Sequence, residues 1–357
     1  MNRCERAARA LPERGVDALL VLSEANRFYL TDFHSTAGVA LVTGEGSWFF
    51  TDSRYIEAAR RSIDGLAVEE NTLAHPALKT VGQILYQRGL RRVGIEDAAL
   101  SLAEYRKLQD TLKGCELLPA SDLLQQLRAA KDEEEIRRMV SAQRIAERAL
   151  EEALEMIRPG RTEREIAAFL QYRMLLGGAE RMSFEPIVVS GPNSSMPHGV
   201  PTDRPVGEGD FITMDFGCVR EGYCSDMTRT VAVGFATEEM ERVYRTVLAA
   251  QQAGIDAARA GIPGAEVHEA AARVIRDAGY GDYFGHGFGH SLGVEIHEAP
   301  NASPSCRDPL PAGAVISAEP GIYLPGAFGV RIEDVLVIRE GGCQDITRAP
   351  KELLILQ

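Results

Sequence analysis

Over the first 127 residues, short apolar blocks alternate with longer segments of helical spacing. ALLVL (18–22), VALVT (39–43) and SWFFT (47–51) carry strand-like runs bounded by turn residues. RYIEAARRS (54–62), HPALKTVGQILYQRG (75–89) and SLAEYRKLQDTL (101–112) predict helices, the last opened by a Ser101/Glu104 capping box. This alternation predicts a small three-layer α/β domain over residues 1–127. The stretch LRAAKDEEEIRRM marks the boundary. Asp132 with Glu135 caps a long helix whose apolar residues Ile136, Met139, Ile145, Ala149 and Leu154 follow helical spacing.

Residues 128–357 read differently. A second helix opens at Thr162 and Glu165, and two more are expected near 238–259 and 265–278, the latter closed by Gly279. Between and after them lie the strand-like stretches PIVVSG, DFITMDFGCV, YCSDMTRTVAVG, GVEIHEAP, AVISAEPGIY and GVRIEDVLVI. Helices and antiparallel hairpins without βαβ regularity predict an α+β domain, and no 20–50-residue repeat is visible. A chain of 357 residues is long enough for these two cores.

Charge narrows the partners. With 39 Lys and Arg against 52 Asp and Glu, the net charge of −13 argues against nucleic acid or an anionic membrane surface. No apolar run approaches the roughly 20 residues that span a bilayer. The charged, helical start MNRCERAARALPERG is unlike a signal peptide, so the expected location is cytoplasmic. The six cysteines form no CxxC pair, which fits reduced thiols, although Cys218 and Cys224 are placed to face each other across a hairpin.

The acidic residues of the C-terminal half carry the chemistry. In a hairpin, residues equidistant from the turn sit opposite each other on one face. Asp215 and Asp226 are symmetric about the Arg220–Glu221 junction, with Gly222 a candidate bulge, and Glu319 and Glu333 are symmetric about Gly326. Two like-charged pairs in apolar strands would repel unless cations neutralise them. Two shared divalent metals would do so and would form a hydrolytic centre. Carboxylates with one imidazole, His290, suit Mn²⁺ or Co²⁺ and admit Fe²⁺ or Zn²⁺. Of the seven histidines, His198, His286 and His297 fall beside this pattern and are expected to handle protons. His34, His75 and His268 read as structural.

The stretches MDFG (214–217), SDMTRT (225–230), GHSLGVEIHE (289–298), AEPGIY (318–323) and VRIED (330–334) resemble the pita-bread metallopeptidases. That family includes methionine aminopeptidase, aminopeptidase P, prolidase and the metal-free creatinases. NRFYLTDF (26–33) and TDSRYIEAA (51–59) resemble the amino-terminal domain of the proline-specific branch. The resemblance implies a pita-bread catalytic domain over 128–357 and a creatinase-like domain over 1–127. It implies that Asp215 binds one metal, that Asp226 and Glu333 bridge both, and that His290 and Glu319 complete the other. His198 and His297 match the catalytic imidazoles, and His286 the additional histidine of the proline-specific branch. Tyr323 and Arg331 match positions flanking the metals, where they would help to bind substrate.

The implied reaction is hydrolysis of the bond between an N-terminal residue and a following proline, with Glu319 taking the proton and His198, His286, His297 and Arg331 assisting. A homodimer is implied as well. A non-catalytic peptide-binding protein, a creatinase-type amidinohydrolase and a phosphoester hydrolase are the alternatives. The first two would be expected to have lost metal ligands, and the third would want Lys or Arg clamps beyond Arg229 and Arg331.

Overall fold

The computed structural model describes residues 1–357 and divides them into two compact units, Met1–Arg128 and Ala129–Gln357. In the first unit six strands form one sheet in the order Ala67–Glu70, Gly46–Thr51, Val39–Thr43, Ala18–Val21, Arg92–Ile95, Glu116–Pro119. The sheet is mixed, antiparallel at its centre and parallel towards both edges. Its central strands are buried on both faces. Leu19, Val21, Ala40, Val42 and Phe49 pack under one helical layer, while Ala18, Leu20, Leu41 and Phe50 pack under the other. Side chains alternate faces along a strand, so a strand covered on both sides reads as an unbroken apolar run. The Ser101/Glu104 capping box forms as expected.

The second unit repeats one plan twice. Helices Glu133–Met156 and Glu163–Leu176 cover the sheet formed by Ile187–Ser190, Phe211–Phe216, Met227–Val233 and Ile355–Leu356. Helices Glu238–Ala257 and Gly264–Asp277 cover the sheet containing Gly289–Ser291, Val315–Ala318 and Asp334–Arg339. Each element of the second half follows its counterpart by roughly a hundred residues. Capping boxes at Asp132/Glu135 and Thr162/Glu165 start the first two helices. Each contributes about 1 kcal/mol, and each was visible because it is local in sequence.

Both halves contain a long hairpin interrupted midway. In the first, Phe216 pairs with Met227 and Val219 with Cys224, so pairing resumes in the same register across a gap. In the second, Ala318 pairs with Asp334 and Gly321 with Arg331, again in one register. Pro320 lies in this second gap and has no N–H to donate to a ladder.

Two expectations are corrected. The first turn lies at Glu221–Gly222, with φ of 50° and 76°, one residue beyond the expected junction. Two positive-φ residues in a two-residue turn follow the twist of the flanking strands, and glycine suits the second position. Pairing therefore shifts by two: Asp215 stands opposite Thr228, and Asp226 falls opposite Gly217, on the same face as intended. Next, GVEIHEAP is not one strand, because Gly293–His297 is a loop and the strand begins at Glu298. The chain folds back there because the space beside Gly293 is filled by the Glu298 carboxylate and the Lys131 side chain. The expectation of reduced thiols holds: all six cysteines are free, and the Cys218 and Cys224 thiols donate to the carbonyls of Ala142 and Val294.

Candidate metal centre

The two gaps hold three of the four acidic residues, and Asp215 sits in the paired strand just before the first. Glu319 and Glu333 fall opposite each other in the second. Asp226 lies in the first, across from Gly217, where a Cβ would run into the Ser225 carbonyl. His290 sits on the short strand Gly289–Ser291, held close to Val315–Ala318 because Gly289 has no Cβ to strike the Ser317 carbonyl. The Ser317 hydroxyl accepts from the His290 backbone N–H at 2.9 Å and donates to Glu319 Oε1 at 2.8 Å. One small side chain thus fixes two candidate ligands.

His290 Nδ1 lies 3.2 Å from the Ser291 carbonyl, which can only accept. That contact places the proton on Nδ1 and leaves the Nε2 lone pair facing Glu319 Oε1 at 3.3 Å and Asp226 Oδ2 at 3.6 Å. A lone pair aimed at carboxylate oxygens is unfavourable without a cation between them. Asp226, His290 and Glu333 bring their ligating atoms within 4.8 Å of one another. Asp215 Oδ1, Asp226 Oδ1 and Glu333 Oε1 are buried without a hydrogen-bond partner. Such orphaned atoms are costly and rare, and three in one place fit a divalent-cation site. Burial, reinforced by the neighbouring carboxylates, pushes Asp226 and Glu333 well above the usual carboxylate range. Burial raises Asp215 too, against the downward pull of Arg331.

Around this core runs a chain of hydrogen bonds. Arg331 Nη2 donates to Asp215 Oδ2 at 2.6 Å, Nη1 to Tyr323 Oη at 2.9 Å and Nε to Thr228 Oγ1 at 3.1 Å. Burial opposes the Arg331 charge, yet Tyr323, Asp215 and Glu319 hold it well above its ordinary value. Tyr323 Oη lies 3.0 Å from His286 Nε2, while His286 Nδ1 meets the Gly287 carbonyl at 2.8 Å. Nδ1 is therefore the donor, and Nε2 accepts from the phenol. Burial lowers the pKa of His286 and of His297, so both are neutral near pH 7. The His297 ring packs 4.5 Å from His290.

All ten residues singled out from the sequence, His198, Asp215, Asp226, His286, His290, His297, Glu319, Tyr323, Arg331 and Glu333, line one cleft of about 1140 Å³. His268 lies apart, stacked on Phe284.

Other residues that hold the site together were not singled out. Glu163, fully buried, accepts from Ser190, Asn193 and Thr202 through both backbone and side-chain donors, and so anchors both ends of the loop carrying His198. Arg229 donates to the Thr228 and Glu333 carbonyls, to Asp334, and to the Ala349 and Pro350 carbonyls. Lys131 Nζ meets Glu298 Oε2 at 3.0 Å in an ion pair almost without solvent exposure, one residue beyond His297.

A fold of two interrupted hairpins converging on a carboxylate-rich site defines a metallopeptidase architecture. Residues 137–340 match metallopeptidase family M24, and residues 3–130 match the Creatinase/Prolidase N-terminal domain. The chain belongs to family M24. It is 38% identical over 354 residues to an uncharacterised Bacillus subtilis peptidase, YqhT, covering 99% of this chain and 100% of that protein. It is 34% identical to the Xaa-Pro dipeptidase of Pyrococcus horikoshii, covering 96% of each. Among solved structures, an Xaa-Pro dipeptidase from Bacillus anthracis superposes with a TM-score of 0.95 at 38% identity, covering 99% of each chain. An X-Pro aminopeptidase from Thermotoga maritima gives 0.92 at 35% identity, covering 98% of this chain and 99% of that one. No helix is long and apolar enough to cross a membrane.

Proposed function

We propose that this chain is a two-metal Xaa-Pro peptidase, cleaving the bond between an N-terminal residue and a following proline. The observation that carries the reading is the convergence of three orphaned carboxylate oxygens with the free lone pair of His290. Asp215, Asp226, His290, Glu319 and Glu333 would hold the cations, and the oxygen-dominated donor set favours Mn²⁺ or Co²⁺. Bound there, they would lower the pKa of a water towards neutrality and polarise the scissile carbonyl.

The chain's own groups supply the remaining steps. Glu319, oriented by Ser317, takes the proton of the attacking water and passes it to the leaving nitrogen. His198 and His297 line the cleft and donate N–H groups to the oxygen that gains charge. Arg331 and Tyr323 hold Asp215 and His286 in place. Proline has no amide N–H, and Phe184, Ile187 and Pro197 give the cleft apolar walls against which its ring fits. Names borne by relatives that act on Xaa-Pro bonds support this specificity. A homodimer accompanies the reading, supported by the family resemblance alone, and so does a cytoplasmic location, supported by the six free cysteines.

The test is metal analysis followed by turnover of Ala-Pro against Ala-Gly, with and without added Mn²⁺. Hydrolysis confined to the proline peptide and dependent on metal is expected, and Asp226→Ala should lose metal and activity together. Normal turnover by that variant, or no retained metal under any loading condition, overturns the reading.

A further inference from the structure

The cleft extends well beyond the ligands. Arg164, Ala168, Tyr172 and Leu175 recur at spacings of four, four and three and form one wall along the helix Glu163–Leu176. At 1.5 Å per residue that wall is about 16 Å long. An extended peptide rising about 3.3 Å per residue would lay some five residues along it. Tyr172 is 57% exposed, Leu175 51% and Val200, which lines the same cleft beside Pro201, 76%. Large apolar side chains left open along a binding cleft mark a surface awaiting a ligand.

The charges agree. Two lining side chains carry a fixed positive charge. Arg331 is engaged with Asp215, Tyr323, Thr228 and the Pro197 carbonyl. Arg164 is paired with Asp203 at 2.9 Å. A dipeptide would bring a free carboxylate one residue past the scissile bond, and both guanidinium groups of the cleft already have carboxylate partners. A continuing chain brings a neutral amide instead.

We propose that Tyr172, Leu175 and Val200 form a subsite for apolar residues downstream of the proline, so that the preferred substrates are extended Xaa-Pro peptides rather than free dipeptides. This rests on the peptidase reading above and adds the substrate class. The test is kcat/KM of the Mn²⁺-loaded protein on Ala-Pro, Ala-Pro-Leu-Leu-amide and Ala-Pro-Asp-Asp-amide. Burial of one leucine predicts a gain of about tenfold or more for the Leu peptide over both others. Replacing Tyr172→Ser and Leu175→Ser together should bring the Leu/Asp ratio close to one with an unchanged melting temperature. Faster cleavage of Ala-Pro, or a Leu/Asp ratio indifferent to the double substitution, overturns the proposal while leaving the peptidase reading intact. A changed native mass with an unaltered ratio also overturns it, assigning the patch to a second copy of the chain. Failure to cleave any Xaa-Pro peptide removes both readings.

Discussion

Thr228 Oγ1 donates to Glu333 Oε2 at 2.7 Å and accepts from Arg331 Nε at 3.1 Å, tying the first interrupted hairpin to the second. Hydrogen bonds that orient metal ligands matter about as much as tenfold to a hundredfold in affinity. Thr228→Val should therefore weaken metal retention by about that factor while leaving the fold intact. Thr228→Ser, which keeps the hydroxyl, should recover most of it. Competitive titration against a chelator measures both, and equal affinity in wild type and valine variant would remove Thr228 from the site's support.

Metal removal should change how stability depends on pH. Burial and mutual repulsion raise the folded-state pKa values of Asp226 and Glu333 above ordinary values of 3.8 and 4.5. A raised acid binds more protons folded than unfolded, so stability falls as pH rises above that range. The chelator-stripped protein should melt at progressively lower temperature from about pH 5 to pH 8, and Mn²⁺ should rescue it most at the alkaline end. A flat or rising profile for the stripped protein would show that these carboxylates are not crowded when empty of metal.

Glu163 never meets substrate, yet it holds the loop that carries His198. Glu163→Ala leaves the two buried donors of Ser190, and the partly buried ones of Asn193 and Thr202, without an acceptor and should cost about 3 kcal/mol. Glu163→Gln, which keeps one acceptor oxygen, should fold with a smaller loss and a lower kcat. Thermal melts paired with steady-state kinetics separate the two effects. Wild-type stability in the alanine variant would contradict the anchoring role.

Lys131→Met removes the ion-pair partner of the Glu298 carboxylate and should destabilise by about 3 kcal/mol. Adding Glu298→Leu removes the remaining charge, so the double variant should recover part of the loss in a denaturant titration. Additive losses would mean that the two charges do not depend on each other.

What could be read in advance followed from how local each signal is. The Glu319–Glu333 pairing is symmetric about a turn that LPGAFG places without ambiguity, and Leu324 does pair with Phe328 around Gly326. Asp215 and Asp226 share a face as expected. Their register did not follow, because Arg220–Glu221–Gly222 admits two turn centres one residue apart and only the backbone at Glu221 chooses between them. Glu163 was invisible for another reason. In a helix's first turn a glutamate usually answers the helix dipole in solvent, whereas here residues 27 to 39 positions downstream fold over it. Lys131 and Glu298, 167 positions apart, likewise gave no local sign of their pairing.

Arg229 spends two of its donors on the carbonyls of Ala349 and Pro350, close to the end of the sequence. The same guanidinium meets the Thr228 and Glu333 carbonyls, so the segment after Asp345 is joined to both strands that carry the site. Arg229→Lys, which cannot reach all of these carbonyls at once, should loosen that join and weaken metal retention, and a chelator titration matching the wild type would contradict it.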